Sequence, residues 1–144
     1  MEQQYTYTAD ISWSDGKTGS AAADGLPDVV VSTPPEFGGP SGKWSPEHLL
    51  VASLGSCIMT TFLAIAEASK FAFSHYRSHV EGTIERWDTG YEFTRITVSV
   101  DLGVADERAA TRGERLLHKA EQNCFISNSL KASVELVPQV QVVS

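Results

Sequence analysis

Cysteine is scarce in this chain: two thiols, Cys57 and Cys124, stand among 144 residues, with 66 residues between them. There is no CxxC pair and no HExxH motif, so the metal-ligand spacings of a zinc site are missing and no metal is expected. The opening MEQQYTYTAD has no basic start, apolar stretch or small-residue cleavage site, nor the Arg-rich character of a transit peptide. We therefore expect a cytoplasmic protein, where two cysteines serve as buried thiols or redox groups rather than as a disulfide staple. Positive charge is also short. Eleven Lys and Arg face 18 Asp and Glu for a net charge of −7, and the basic residues are scattered along the sequence. That balance repels phosphate backbones and argues against a nucleic-acid partner. Long hydrophobic runs are absent but for Leu49 to Ala66, which Ser53, Ser56, Thr60 and Thr61 interrupt and no basic cluster flanks. A buried core helix, not a membrane span, is the reading. With no linker, repeat or low-complexity stretch, the length predicts one domain over residues 1–144.

What is present alternates between strand and helix patterns. YTYTADISW places Tyr5, Tyr7, Ala9, Ile11 and Trp13 at the period of a half-buried strand. SDG turns the chain, and PDVVVST offers a further strand after the Asp24-Gly25 step, so the N-terminal part reads as an antiparallel meander. Thr33 to Trp44 holds three prolines and three glycines, too broken for ladder or helix, and reads as a long loop. Ser45, Pro46 and Glu47 then supply a cap, a donor-free first residue and an acid at the positive dipole end. The helix they start is expected to run through Cys57 to about Lys70. Its Ala52, Ser53, Gly55 and Ser56 imply a closely packed partner helix, within the chain or from a second copy.

HYRSHVEGTIERW and EFTRITVSVDLGV form a hairpin about Asp88 to Gly90, and ADERAATRGERLLHKAEQ reads as a helix starting at Ala105 and Asp106. A short helix in NCFISNSLKA and a final strand in SVELVPQVQVV close the chain. The order predicts an α+β fold with helices gathered on one side of mostly antiparallel sheet.

Candidate chemistry is sparse. His75 and His79 fall in a strand-like run with Arg77 on their side of the pleat, His48 lies in a helix's first turn and His118 near a helix end. All four read as solvated or capping residues. GPSGKW is the nearest approach to a nucleophile elbow or a phosphate loop and matches neither spacing. From composition alone each cysteine reads as a small core hydrophobe.

GGPSGKWSPEHLLVASLGSC, ending at Cys57, and AEQNCFISNSL, around Cys124, resemble the OsmC/Ohr family of thiol-dependent hydroperoxide reductases. Pro46, Glu47, Leu49, Cys57, Cys124 and Ser127 fall on its pattern, and the element order matches over nearly the whole chain. The resemblance implies an OsmC-like α+β fold, with antiparallel sheets around a long central helix, in an intertwined homodimer. It makes Cys57 the peroxidatic thiolate, Cys124 the resolving cysteine and Glu47 the catalytic glutamate that holds an arginine near the thiol. It implies no cofactor, an organic hydroperoxide as substrate, and a dithiol reductant such as a lipoylated protein. Ten residues of helix set Glu47 about 15 Å along the axis from Cys57, so cooperation between them needs a second subunit.

The chain departs from the pattern in one respect: no arginine precedes Arg77. Lys17, in DGKTGS, aligns best with the missing group, and Lys43 is a second source of charge. A lysine can lower a thiol pKa but offers no planar fork. Local electrostatics also favour the other thiol, because Asn123 reads as an N-cap that puts Cys124 at a short helix's positive end. Two readings follow: a hydroperoxide reductase using Cys57 and Cys124 with Glu47 and Lys17 in support, or the same fold binding a small hydrophobic ligand at the dimer interface.

Overall fold

The computed structural model describes residues 3–143 and divides the chain into two compact units, Met1–Leu50 and Val51–Ser144. In the first, β1 (Asp10–Asp15), β2 (Thr18–Ala22) and β3 (Val29–Ser32) form the predicted antiparallel meander in that order. Gly16, at φ 57°, takes the left-handed conformation that closes the first hairpin. The strand starts at Asp10, so Tyr5 and Tyr7 lie outside it. Nor is it half-buried: Ile11 and Trp13 keep the period-two alternation but remain 74% and 78% exposed, because nothing in the described chain covers them. The long loop is also more ordered than its prolines predict. It contains a 3-10 turn at Pro35–Phe37, and Trp44 forms an isolated parallel bridge with Val31.

Helix α1 (Pro46–Ala68) begins as predicted, with the Ser45 hydroxyl accepting from the His48 amide at 3.1 Å, and ends two residues earlier than expected. By length and composition it is long and apolar enough to cross a membrane. Its buried residues Leu54, Gly55, Ile58, Phe62 and Ala66 nonetheless trace one face, as a core helix requires. Within Val51–Ser144 that face meets β4 (His75–Trp87) rather than a helix. Phe62 sits 5.4 Å from the Tyr76 ring, and a Cβ on Gly55 would fall 2.6 Å from Val80 Cγ2.

β4 pairs with β5 (Gly90–Val104) in the predicted hairpin. β6 (Ser133–Val142) joins the other side of β5, giving the order β4-β5-β6. This last pair is parallel, the one exception among the described strand pairs to the mostly antiparallel pairing that the sequence pattern predicts. Helix α2 (Glu107–Gln122) is the cause, since a crossover helix returns the chain to the same end of the sheet. β6 is thus an edge strand, and it carries Pro138, a residue with no N–H for a central ladder. Ile96, Val98, Val100 and Leu102 of β5 are fully buried, beside Leu117 and Ala120 of α2. The α+β architecture matches the predicted class.

Candidate functional site

Both thiols lie in the second unit. Cys57, half-buried on α1, is in hydrogen-bonding contact with the fully buried Cys124 that follows α2. One turn along the helix, Thr61 Oγ1 stands 4.0 Å from the Cys57 sulfur. Asn123 does not begin a helix as expected. It ends α2, its side-chain amide donating to the Lys119 carbonyl at 2.8 Å, and among the described residues the only helical turn after it is the 3-10 segment Ser127–Ser129. Asparagine suits either helix end, and here the preceding apolar stripe Leu116, Leu117, Ala120 claims it.

The four-residue loop so released folds back on its own sulfur. The Ser127 amide donates to Cys124 Sγ at 3.3 Å, and the Asn128 amide donates to the Cys124 carbonyl at 3.0 Å. The Ser127 hydroxyl donates to Glu121 Oε2 at 2.7 Å, tying the loop to the last turn of α2. Backbone amides of Ile126 and Phe125 serve the sulfur of Cys57. One short stretch of backbone therefore addresses both thiols.

The two sulfurs are driven apart electrostatically. Burial opposes ionisation of Cys57, but the Cys124 thiol, the Ile126 amide, the Thr61 hydroxyl and the Phe125 amide together outweigh it and hold the pKa below its ordinary value. For Cys124, burial comes first, and the hydrogen bond to the Cys57 sulfur, which holds the Cys124 proton, adds to it, pushing the pKa up to about 11. The expected order of acidity from local helix ends is therefore reversed. Burial of Cys124 and the hydrogen-bond donors around Cys57 decide it, not a helix dipole, and none of them was legible as a motif. Glu121, six residues ahead of Ser127, carried no signal in the sequence at all.

The first unit holds the other candidate residues. Lys17 and Glu47 line one cavity of 490 Å³, walled chiefly by Trp13, Val31, Pro34 and Phe37. Lys17 Nζ lies 3.5 Å from the Phe37 carbonyl. Glu47 Oε1 is buried without a hydrogen-bond partner among the described residues. Lys43 lines different clefts, beside Gly42 and Trp44. Of the two lysines, Lys17 is the one that shares a cavity with Glu47.

Two of the four histidines have local partners. His48 Nδ1 is 2.7 Å from the Ser45 hydroxyl, and His75 Nε2 is 3.2 Å from Asp101 Oδ1, where Arg77 and Gln141 also converge. Among the described residues no three His, Cys, Asp or Glu side chains gather as a metal site.

Comparison with known proteins agrees with this arrangement of elements. A family model described as OsmC-like protein matches residues 38–138. An uncharacterized protein of Acinetobacter baylyi is 31% identical over 83 residues; the match spans 57% of this chain and 57% of that relative's length. An OsmC-like protein of unknown function from Vibrio cholerae superposes with a TM-score of 0.81 at 22% identity, over 96% of this chain and 100% of that one. An organic hydroperoxide resistance protein OsmC from Legionella pneumophila gives a TM-score of 0.76 at 22% identity, over 96% and 100%. At these identities the two solved structures establish likeness of fold.

Proposed function

The chain belongs to the OsmC-like protein family, and on that premise we propose that it reduces organic hydroperoxides by cysteine chemistry, in oxidative-stress defence. The observation that supports this most directly is the pairing of Cys57 with Cys124, one thiol lowered in pKa and the other raised. The thiolate is the nucleophile, so Cys57 is the sulfur that attacks. Its electron pair forms an S–O bond to the terminal peroxide oxygen as the O–O bond breaks. The departing alkoxide takes a proton and leaves as an alcohol, and Cys57 becomes a sulfenic acid. Cys124 then attacks that sulfur, an S–S bond forms, and the sulfenic oxygen departs as water with the Cys124 proton. A dithiol reductant, such as a lipoylated protein, returns the disulfide to two thiols by exchange.

No upstream arginine is needed to ionise Cys57 in this scheme, because amides and hydroxyls do part of that work. Lys17 and Glu47 act on the peroxide instead. The ammonium neutralises the developing alkoxide, and Glu47 Oε1, unpartnered in its cavity, accepts from the peroxide O–H. Because ten residues of α1 hold Glu47 away from Cys57 of the same chain, a second copy supplies these two groups in a homodimer. Apolar surface left open in one copy supports that association: only 28% of the apolar window of α1 is buried, and Ile11 and Trp13 lie exposed.

The test is thiol loss after adding stoichiometric cumene hydroperoxide to reduced protein, beside a Cys57→Ser control. Rapid loss that depends on Cys57 is the expected result. Oxidation at the rate of an ordinary thiol would sink the proposal and leave the second reading, an OsmC-like protein that binds a small hydrophobic ligand at the dimer interface.

A further inference from the structure

Helix α2 gathers positive charge that the linear sequence disperses. Arg108, Arg112, Arg115 and Lys119 follow one another at spacings of four, three and four residues, so the winding of the helix stacks them in one stripe. Glu107, Glu114 and Glu121 form a separate stripe, and no acid stands three or four residues from any of the four cations. Each cation instead has another cation at that distance, where like charges repel. Four of the chain's 11 Lys and Arg are thus concentrated on one helix face of a protein with net charge −7. Among the described residues none of the four forms a salt bridge.

One member of the stripe is fixed. Arg112 is half-buried, donates to the Ser69 carbonyl, and lies 5.4 Å over the centroid of the Phe71 ring. Arg108 and Arg115 flank it, exposed, and with Thr111 the three guanidinium groups border a cleft of 530 Å³. We propose that this cleft binds a small phosphate-bearing anion, Arg108 and Arg115 closing on the phosphoryl oxygens against Arg112 and the Thr111 hydroxyl. Guanidinium forks match phosphoryl oxygens two at a time. A doubly charged group with several oxygens can engage three forks, whereas a single carboxylate runs out of both charge and acceptors. The lining groups span two turns, about 10 Å. That fits one phosphoryl group and is short for a polypeptide or a nucleic acid. The site is independent of the thiol chemistry, and neither proposal depends on the other.

Calorimetric titration of the full chain at low salt tests it, with inorganic phosphate, phenyl phosphate, acetate and a polyglutamate peptide as probes. Saturable phosphate binding is expected, weaker by at least about tenfold for acetate and weakened by at least about tenfold in Arg108→Gln/Arg115→Gln. Both substituted positions are exposed, and circular dichroism verifies that the variant folds. Tighter binding of inorganic phosphate supports a free-anion site, and tighter binding of phenyl phosphate supports a phosphate ester. No saturable heat at millimolar phosphate, unchanged affinity in the folded double variant, or displacement of phosphate by the polyglutamate peptide at lower concentration would each overturn the assignment.

Discussion

Gly55 lets the thiol helix pack closely against β4, and substituting it sets two effects of known sign against each other. Alanine at an interior helix position is favoured over glycine by about 1 kcal/mol. Here the new methyl would stand 2.6 Å from Val80 Cγ2, when carbon atoms in contact prefer roughly 3.5–4.0 Å. Val80 is β-branched with a stiff side chain on β4, so it cannot swing aside cheaply. Overpacking of this kind costs about 1–3 kcal/mol. Subtracting the propensity gain leaves Gly55→Ala destabilised by roughly 0–2 kcal/mol. In a Val80→Ala background the obstructing methyl is gone, and the same substitution stabilises by up to about 1 kcal/mol. Urea denaturation of the four proteins closes the cycle, with a coupling energy of about 1–3 kcal/mol expected. If Gly55→Ala stabilises the wild-type chain by the full propensity gain, with coupling under about 0.5 kcal/mol, the close approach does not constrain the helix. Because Cys57 lies two residues further along, the single variant should also move the thiolate absorbance of Cys57 to higher pH, and the double variant should move it back.

Three more predictions concern the groups around that helix. As pH rises, alkylation followed by peptide mapping should modify Cys57 first, with a midpoint below that of an ordinary cysteine, while Cys124 stays protonated toward about 11; earlier labelling of Cys124 would contradict the assigned order. Ser127→Ala and Glu121→Gln, which weaken the 2.7 Å contact of the thiol loop, should each raise the Cys57 midpoint while leaving the far-ultraviolet spectrum unchanged, and an unmoved midpoint would make the contact purely structural. Tyr76→Phe should stabilise the chain by about 1 kcal/mol in denaturant titration, since its hydroxyl is buried without a partner among the described residues and its pKa is pushed up to about 12 by that burial; a loss of stability would contradict this.

The parts of the fold legible in the sequence are those set by neighbours in the chain. Ser45 and Asp106 cap their helices from adjacent positions, and the turn at Asp88 to Gly90 joins two strands that pair along their length with one register shift, between Thr83 and Ile84. The parallel seat of β6 was not legible, because a strand's own pattern does not say which way its partner runs. Burial of β1 was misread for a related reason: alternation marks an apolar face without showing what covers it. At the candidate site, the resemblance carried by the two cysteine motifs picked out the two thiols that the structure brings together. It also made Cys57 the attacking thiol, against the local reading of helix ends, but the physical basis had no signature in the sequence: burial of Cys124, and the Cys124 thiol, the amides of Ile126 and Phe125 and the hydroxyl of Thr61 gathered on Cys57. Asn123 was ambiguous between two kinds of helix end, and only the packing of α2 resolves it.

Pro138 has a consequence for how the second sheet can grow. A proline ring cannot offer a donor to an incoming strand, so the outer side of β6 is interrupted midway along its ten residues. The two borders of the sheet are thereby unequal. Extension by strand addition, whether from a foreign peptide or from a misfolded neighbour, is blunted at β6 and left to the β4 border, giving the sheet a built-in polarity of assembly and one protected margin.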